Sequence, residues 1–112
     1  MQKKVYICAP LEGIVQDLLT QAIEYTKFAL KSGVAPITPQ FYHLCLDSRD
    51  SDKKTIIRSA GTSVLWFCDE IWVFGEIVTE SMKAEIAFCK NMRIKIRRVK
   101  NSEIKKVIGE KR

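Results

Sequence analysis

The apolar residues of this 112-residue chain fall into short blocks whose period switches between that of a strand and that of a helix. "KKVYICAP" holds an apolar run from Val5 to Ala9, closed by Pro10, which predicts a buried first strand. "LEG" predicts a turn. Over residues 15–31, Val15, Leu18, Leu19, Ala22, Ile23, Ala29 and Leu30 recur at helical spacing, and Gly33 suits a left-handed cap after Ser32. "VAPIT" predicts a second strand, with Pro36 confining it to an edge or a strand end. "TPQFYHLCLDSRDSDKK" is a long connection with a short helical turn around 40–46, and connections of this length are often functional. Residues 54–68 predict a second helix with Ile57, Ala60, Val64 and Phe67 or Cys68 on its inner side. "EIWVFG" is the clearest strand, and a third helix follows over 79–92. In "IKIRRV", Ile94, Ile96 and Val99 alternate with basic residues, the pattern of an edge strand with one wet face. A short helical turn is expected at 104–108.

Strand and helix thus alternate, which predicts an α/β fold: a three-layer α/β/α domain, Rossmann- or flavodoxin-like, around a parallel four-stranded core sheet in the order 2-1-3-4. Residues 1–112 are expected to form a single domain with a basic C-terminal tail (about 100–112). Open sheets of this kind bind ligands at the carboxyl ends of their strands, beside the topological switch point. That rule selects "CAPLEG", "TPQFYH" and "FGEIVTES".

Charge changes the picture only at one end. The net charge is +6, yet residues 1–89 carry 9 Lys/Arg against 11 Asp/Glu, and residues 90–112 carry 10 against 2. The positive charge therefore belongs to the last strand and tail, a solvated edge or a patch for phosphate-bearing ligands. No nucleic-acid-binding signature accompanies it, so a nucleic-acid partner is not expected. No apolar run approaches the ~18 residues of a membrane span, and the first apolar block is too brief for a signal peptide, so a cytoplasmic protein is expected. Cys8, Cys45, Cys68 and Cys89 lack metal-ligand spacing and read as reduced thiols. His43, with Asp47, Asp50 and Asp52 downstream, does not make a metal site. Neither a dinucleotide fingerprint nor a phosphate-binding P-loop is present, so no cofactor is expected.

Three features can carry chemistry. At about 100° per residue, Glu85 falls inside the apolar arc that Met82, Ile86, Phe88 and Cys89 define on the third helix. A carboxylate facing a sheet must be hydrogen-bonded or open on a cavity, so Glu85 is either a site residue or a rim residue reaching water. Tyr6 sits midway along the first strand, where its hydroxyl needs a partner; next to the third strand it comes within reach of Glu85. Gly75 turns the chain out of the third strand, and Thr79 or Ser81 either caps the next helix or contacts an anion. Trp66 and Trp72 read as core or interface residues.

With "KVYICAPLEG", "PQFYH", "GTSVLWFCDEIWVFG" and "TESMKAEIAFCKNMRIKI", the chain resembles the nucleoside 2-deoxyribosyltransferase-like superfamily, which includes deoxynucleoside 5′-monophosphate N-hydrolases, over roughly residues 4–99. The likeness is strongest to a small bacterial and phage branch. It implies a nucleoside or nucleotide N-glycosidic hydrolase or transferase in which Glu85 attacks the anomeric carbon and Tyr6 orients it. It also implies substrate contacts along Ala9, Pro10, Glu12, Gly13, Gly75, Thr79, Ser81 and Met82. Thr79 stands where the hydrolases place a phosphate-contacting Ser and the transferases an Asp. Gly61 stands where the enzymes have an acidic Asp, and Glu12 where the hydrolases have an Arg. Glu12, His43 and Asp69 are the residues of suitable type to replace the acid. The alternative implied by Gly61 is a non-catalytic nucleotide-binding module, serving signalling or a phage–host function. The resemblance further implies a homodimer or higher homo-oligomer; a third reading makes the protein a subunit or adaptor using Phe41, Tyr42 and Trp66.

Overall fold

A computed structural model of the chain describes residues 1–47 and 49–109. Its elements are β1 (Lys4–Cys8), α1 (Val15–Lys31), β2 (Ala35–Ile37), a 3₁₀ helix (Pro39–Leu44), α2 (Lys53–Leu65), β3 (Glu70–Phe74), α3 (Glu80–Met92), β4 (Lys95–Val99) and α4 (Asn101–Gly109). The four strands form one all-parallel sheet in the order β2-β1-β3-β4. The fold class and strand order are those expected from the alternation. β2 lies at an edge, which accommodates Pro36, and β4 lies at the other.

Strand alternation divides the core into two layers. Val5 and Ile7 of β1 and Ala9 just beyond it, with Trp72, Phe74 and Val99, pack under Tyr25, Phe28 and Ala29 of α1 and Ile104 of α4. Tyr6, Cys8, Ile71 and Val73 point the other way, toward Leu65 of α2 and Met82 and Cys89 of α3. Right-handed crossovers explain the assignment. The step β1→β2 runs in one direction across the sheet and takes α1 over one face; β2→β3 and β3→β4 run the other way and take α2 and α3 over the opposite face. The direction reverses between β1 and β3, so the switch point lies beside Tyr6 and Cys8.

Three sequence expectations change. Ile23 and Leu30, placed in the inner stripe of α1, are exposed; Tyr25 and Phe28 take the inner positions, Tyr25 stacked on Phe74 and Phe28 tilted against Trp72. α2 ends at Leu65, and its inner line is Ile57, Gly61 and Leu65, so Phe67 faces outward at 70% exposure. The expected turn at 104–108 is a helix of nine residues, seated on the α1 side through Ile104, Val107 and Ile108. Arg97 lies over the Trp72 ring, 4.4 Å from its centroid, and pairs with Glu103 at 2.8 Å. Arg97 is thus tied to the fold through its stem and its partner, and residues 110–112 of the expected basic tail lie outside the described residues.

No helix among the described residues is long and apolar enough to cross a membrane. Among them, no group of three His, Cys, Asp or Glu side chains is placed to hold a metal ion.

Candidate functional site

β1 and β3 are neighbours, with Tyr6 in register with Ile71 and Cys8 with Val73. Helical side chains lean toward the helix N-terminus, so Glu85, on the inner face of α3, reaches back over β1. The Tyr6 hydroxyl donates to Glu85 Oε2 at 2.5 Å, and the Cys8 thiol interacts with the same carboxylate. Tyr6 and Cys8 are fully buried, and Glu85 is only 7% exposed.

Burial dominates the electrostatics. It pushes the Glu85 carboxyl up to about 7, against the opposing pull of the Tyr6 and Cys8 hydrogen bonds. Glu12 adds to the rise and Arg58 offsets it. Burial, reinforced by the nearby Glu85 charge, also drives the Tyr6 hydroxyl and the Cys8 thiol far above their ordinary ranges. Both therefore stay protonated, and Glu85, pushed up to about 7, is the member of the three that changes charge near neutrality.

Glu85 opens on a cleft of about 210 Å³ lined also by Leu11, Arg58, Thr62, Ser81, Ala84 and Phe88. Arg58 extends across it to an ion pair with Glu12 at 2.7 Å. A wider open groove of about 600 Å³ shares Arg58, Thr62 and Phe88 and continues to Trp66 and Phe67.

The remaining expected residues divide. Ser81 is buried at the cleft, its hydroxyl 3.1 Å from that of Thr79. Thr79 is the N-cap of α3: its hydroxyl accepts from the Met82 amide, and its own amide reaches Met82 Sδ. Met82 is fully buried beneath that cap, and Ala9 is buried with its carbonyl taken by Gln40. Gly13 adopts a φ of 139° in the turn after β1. Pro10 and Gly75 line a different cleft, of about 390 Å³, with Gln21, Tyr25, Glu76, Ile77 and Asn101. Of the three replacements for the acid, Glu12 alone lies beside the Glu85 cleft. Asp69 accepts from the Lys4 amide just ahead of β3, and His43 is bonded to the Leu11 carbonyl.

Sequence reasoning missed five lining residues, Leu11, Arg58, Thr62, Ala84 and Phe88, and one support. Gln40 Nε2 donates to the Ala9 carbonyl and His43 Nε2 meets the Leu11 carbonyl, both at 2.9 Å. A carbonyl only accepts, so the His43 proton sits on Nε2. Residues three apart share one face of a 3₁₀ helix, so Gln40 and His43 together hold alternate carbonyls of the loop that walls the cleft. The i, i+3 pair of polar residues in "PQFYH" was the available signal.

The fold and the cleft define a doubly wound α/β domain with a buried glutamate on the switch-point side of its sheet. By sequence, the chain belongs to the family described as "Domain of unknown function (DUF7768)", whose model matches residues 3–99. No curated protein matches it. The structure is similar to that of a 2-deoxyribosyltransferase from the psychrotolerant bacterium Bacillus psychrosaccharolyticus, with a TM-score of 0.67 and 13% identity over 93% of this chain and 81% of that one. That protein is described as a biocatalyst for the synthesis of antiviral and antitumoral nucleosides. At this identity the likeness establishes the fold.

Proposed function

We propose that this protein acts on the N-glycosidic bond of a nucleoside or nucleotide, as a hydrolase or transferase, with Glu85 as nucleophile. The observation that carries the proposal is the buried Glu85 carboxyl, held by Tyr6 at 2.5 Å on the wall of a cleft. The likeness of fold to a deoxyribosyltransferase gives the carboxylate a reaction. In that reaction an ionised Glu85 oxygen bonds to the anomeric carbon as the bond to the base breaks, and water or a second base then displaces the carboxylate. Tyr6 fixes the carboxylate, and the Ser81, Thr62 and Arg58 side chains are placed to meet sugar or phosphate oxygens. Thr79 and Met82 set the start of α3, and Ala9, Glu12 and Gly13 shape the loop opposite. Gly61 supplies no acid, so the departing base draws its proton from solvent or from the Glu12 side of the cleft. Turnover is accordingly slow, since a placed general acid contributes about 10²–10⁴-fold.

The same Gly61 favours a second reading, a nucleotide-binding module without turnover, suited to signalling or a phage–host role. A homodimer or higher assembly fits the exposed Trp66 and Phe67 beside the cleft; light scattering of the purified protein tests it.

The deciding experiment incubates the protein with deoxynucleosides and deoxynucleoside monophosphates and scores free base by chromatography. Base release that stops in Glu85→Gln is expected. Release that continues undiminished in that variant removes Glu85 from the chemistry. Thermal shifts with the same compounds and no release identify the binding module, and neither response to any compound rules out both readings.

A further inference from the structure

Gly61 marks a close approach of α2 to β1. A Cβ placed on it would lie 2.7 Å from Tyr6 Oη, with Pro39 Cβ at 3.7 Å and Tyr6 Cζ at 3.8 Å. The first distance is far inside contact, so any side chain at 61 requires the hydroxyl to move. Tyr6 has little freedom to move. It is fully buried in the cluster on the α2/α3 face, and its hydroxyl already lies 2.5 Å from Glu85 Oε2, a contact with no room to shorten. Displacement by a group on α2 therefore lengthens or breaks the bond to Glu85. A helix interior ordinarily favours alanine over glycine, so the glycine needs a local reason, and the Tyr6 hydroxyl is that reason.

We propose that Gly61 is a positioning residue: by carrying no side chain it seats the Tyr6 hydroxyl on Glu85, and this closes position 61 to any acid. The inference concerns the Tyr6–Glu85 pair and holds whatever ligand the cleft takes.

The test is a double-mutant cycle with two readouts that need no turnover. Gly61→Ala is expected to lower Tm in the native background. In the Tyr6→Phe background the clashing oxygen is gone, and the same change is expected to leave Tm unchanged or raise it. The second readout is the Glu85 titration, followed by carbon-detected NMR of its carboxyl group. Its midpoint moves up in Gly61→Ala, as in Tyr6→Phe, because each takes a hydroxyl donor from the carboxylate while Cys8, Glu12 and Arg58 stay in place. An equal Tm penalty in both backgrounds, or a Glu85 midpoint that does not move, overturns the proposal. If Gly61→Ala alone fails to fold, folding of the double variant supports the proposal and its failure to fold overturns it. Absence of base release from the native protein would remove the glycosidic function and leave these two readouts intact.

Discussion

Two glutamates on opposite faces of the sheet are almost equally screened from solvent, Glu70 at 6% exposure and Glu85 at 7%, but Glu85 lies much deeper among protein atoms and Glu70 close beneath the surface. Their surroundings push them in opposite directions. Glu70, at the start of β3, accepts from Lys3 Nζ and from the indole N–H of Trp72, both at 2.9 Å. The Lys3 and Trp72 bonds outweigh burial and hold its carboxyl below the ordinary range. Glu85 accepts from a neutral donor, Tyr6, with the neutral Cys8 thiol nearby, and burial wins. Low exposure alone thus says little about role; depth of burial and the charge of the nearest donor together decide. A carboxylate held ionised by a cation is a structural tie. One pushed up to about 7 by burial, beside a cleft, suits the role proposed for it.

The largest test of that contrast is activity. If base release is found, Glu85→Gln should lower it by about 10³-fold or more, as loss of a nucleophile does. Glu70→Gln, on the other face, should leave it within about twofold, since no step runs through that residue. Only the ionised form of Glu85 attacks, so release should rise with pH through about 7 and level off above it. A profile flat from pH 5 to 9, or equal losses in the two variants, would erase the distinction between the glutamates.

Stability against pH gives the next largest effect. The folded value for Glu85, about 7, lies above its ordinary 4.5, so folding disfavours the charged form. Its contribution is fully present below the unfolded value, is lost as pH rises toward 7, and is constant above. The shift corresponds to about 3 kcal/mol. Glu85→Gln should therefore flatten the loss of stability across that window. Glu70 has the opposite sign: its contribution is present above the ordinary carboxylate range and is lost as pH falls through its lowered folded value. Glu70→Gln should flatten the acid limb and leave the window near neutrality as it was. Urea unfolding at several pH values reads both; Glu85→Gln with an unchanged slope between pH 5 and 7 would contradict the assigned cause.

Much of this was readable from local pattern. Strand runs and helical stripes located the core elements, and the period placed Glu85 inward without any knowledge of the sheet. Misplacements occurred where several patterns competed for one burial site. Ile23 and Leu30 fit the stripe of α1, but Tyr25 and Phe28 offered more surface to bury against Phe74 and Trp72. In α4, the lysines masked the i, i+3, i+4 line of Ile104, Val107 and Ile108. The cleft was less legible because its parts meet across the chain. Glu12 and Arg58 are 46 positions apart, and Gln40 and Ala9 are 31 apart. Gly61 was legible as a carboxylate not present; that it makes room for the Tyr6 hydroxyl depends on how closely α2 approaches β1, which no local pattern encodes.

The smallest test turns one glutamate toward the other. Lys3→Met removes the cation from Glu70 and leaves the Trp72 N–H in place. The Lys3 side chain is 61% exposed, so solvent already screens the pair, and its loss should change stability little. The Glu70 titration is the more sensitive measure. Its largest lowering cause is gone, so its midpoint should rise. It should stop short of about 7, to which burial pushes Glu85, because the indole bond and the Lys95 charge still favour the ionised form. A midpoint that stays put would assign the depression to Trp72, making a neutral donor sufficient to hold a buried carboxylate charged. The contrast with Glu85 would then have to rest on the depth of burial around Tyr6 and Cys8, and no longer on the charge of the donor.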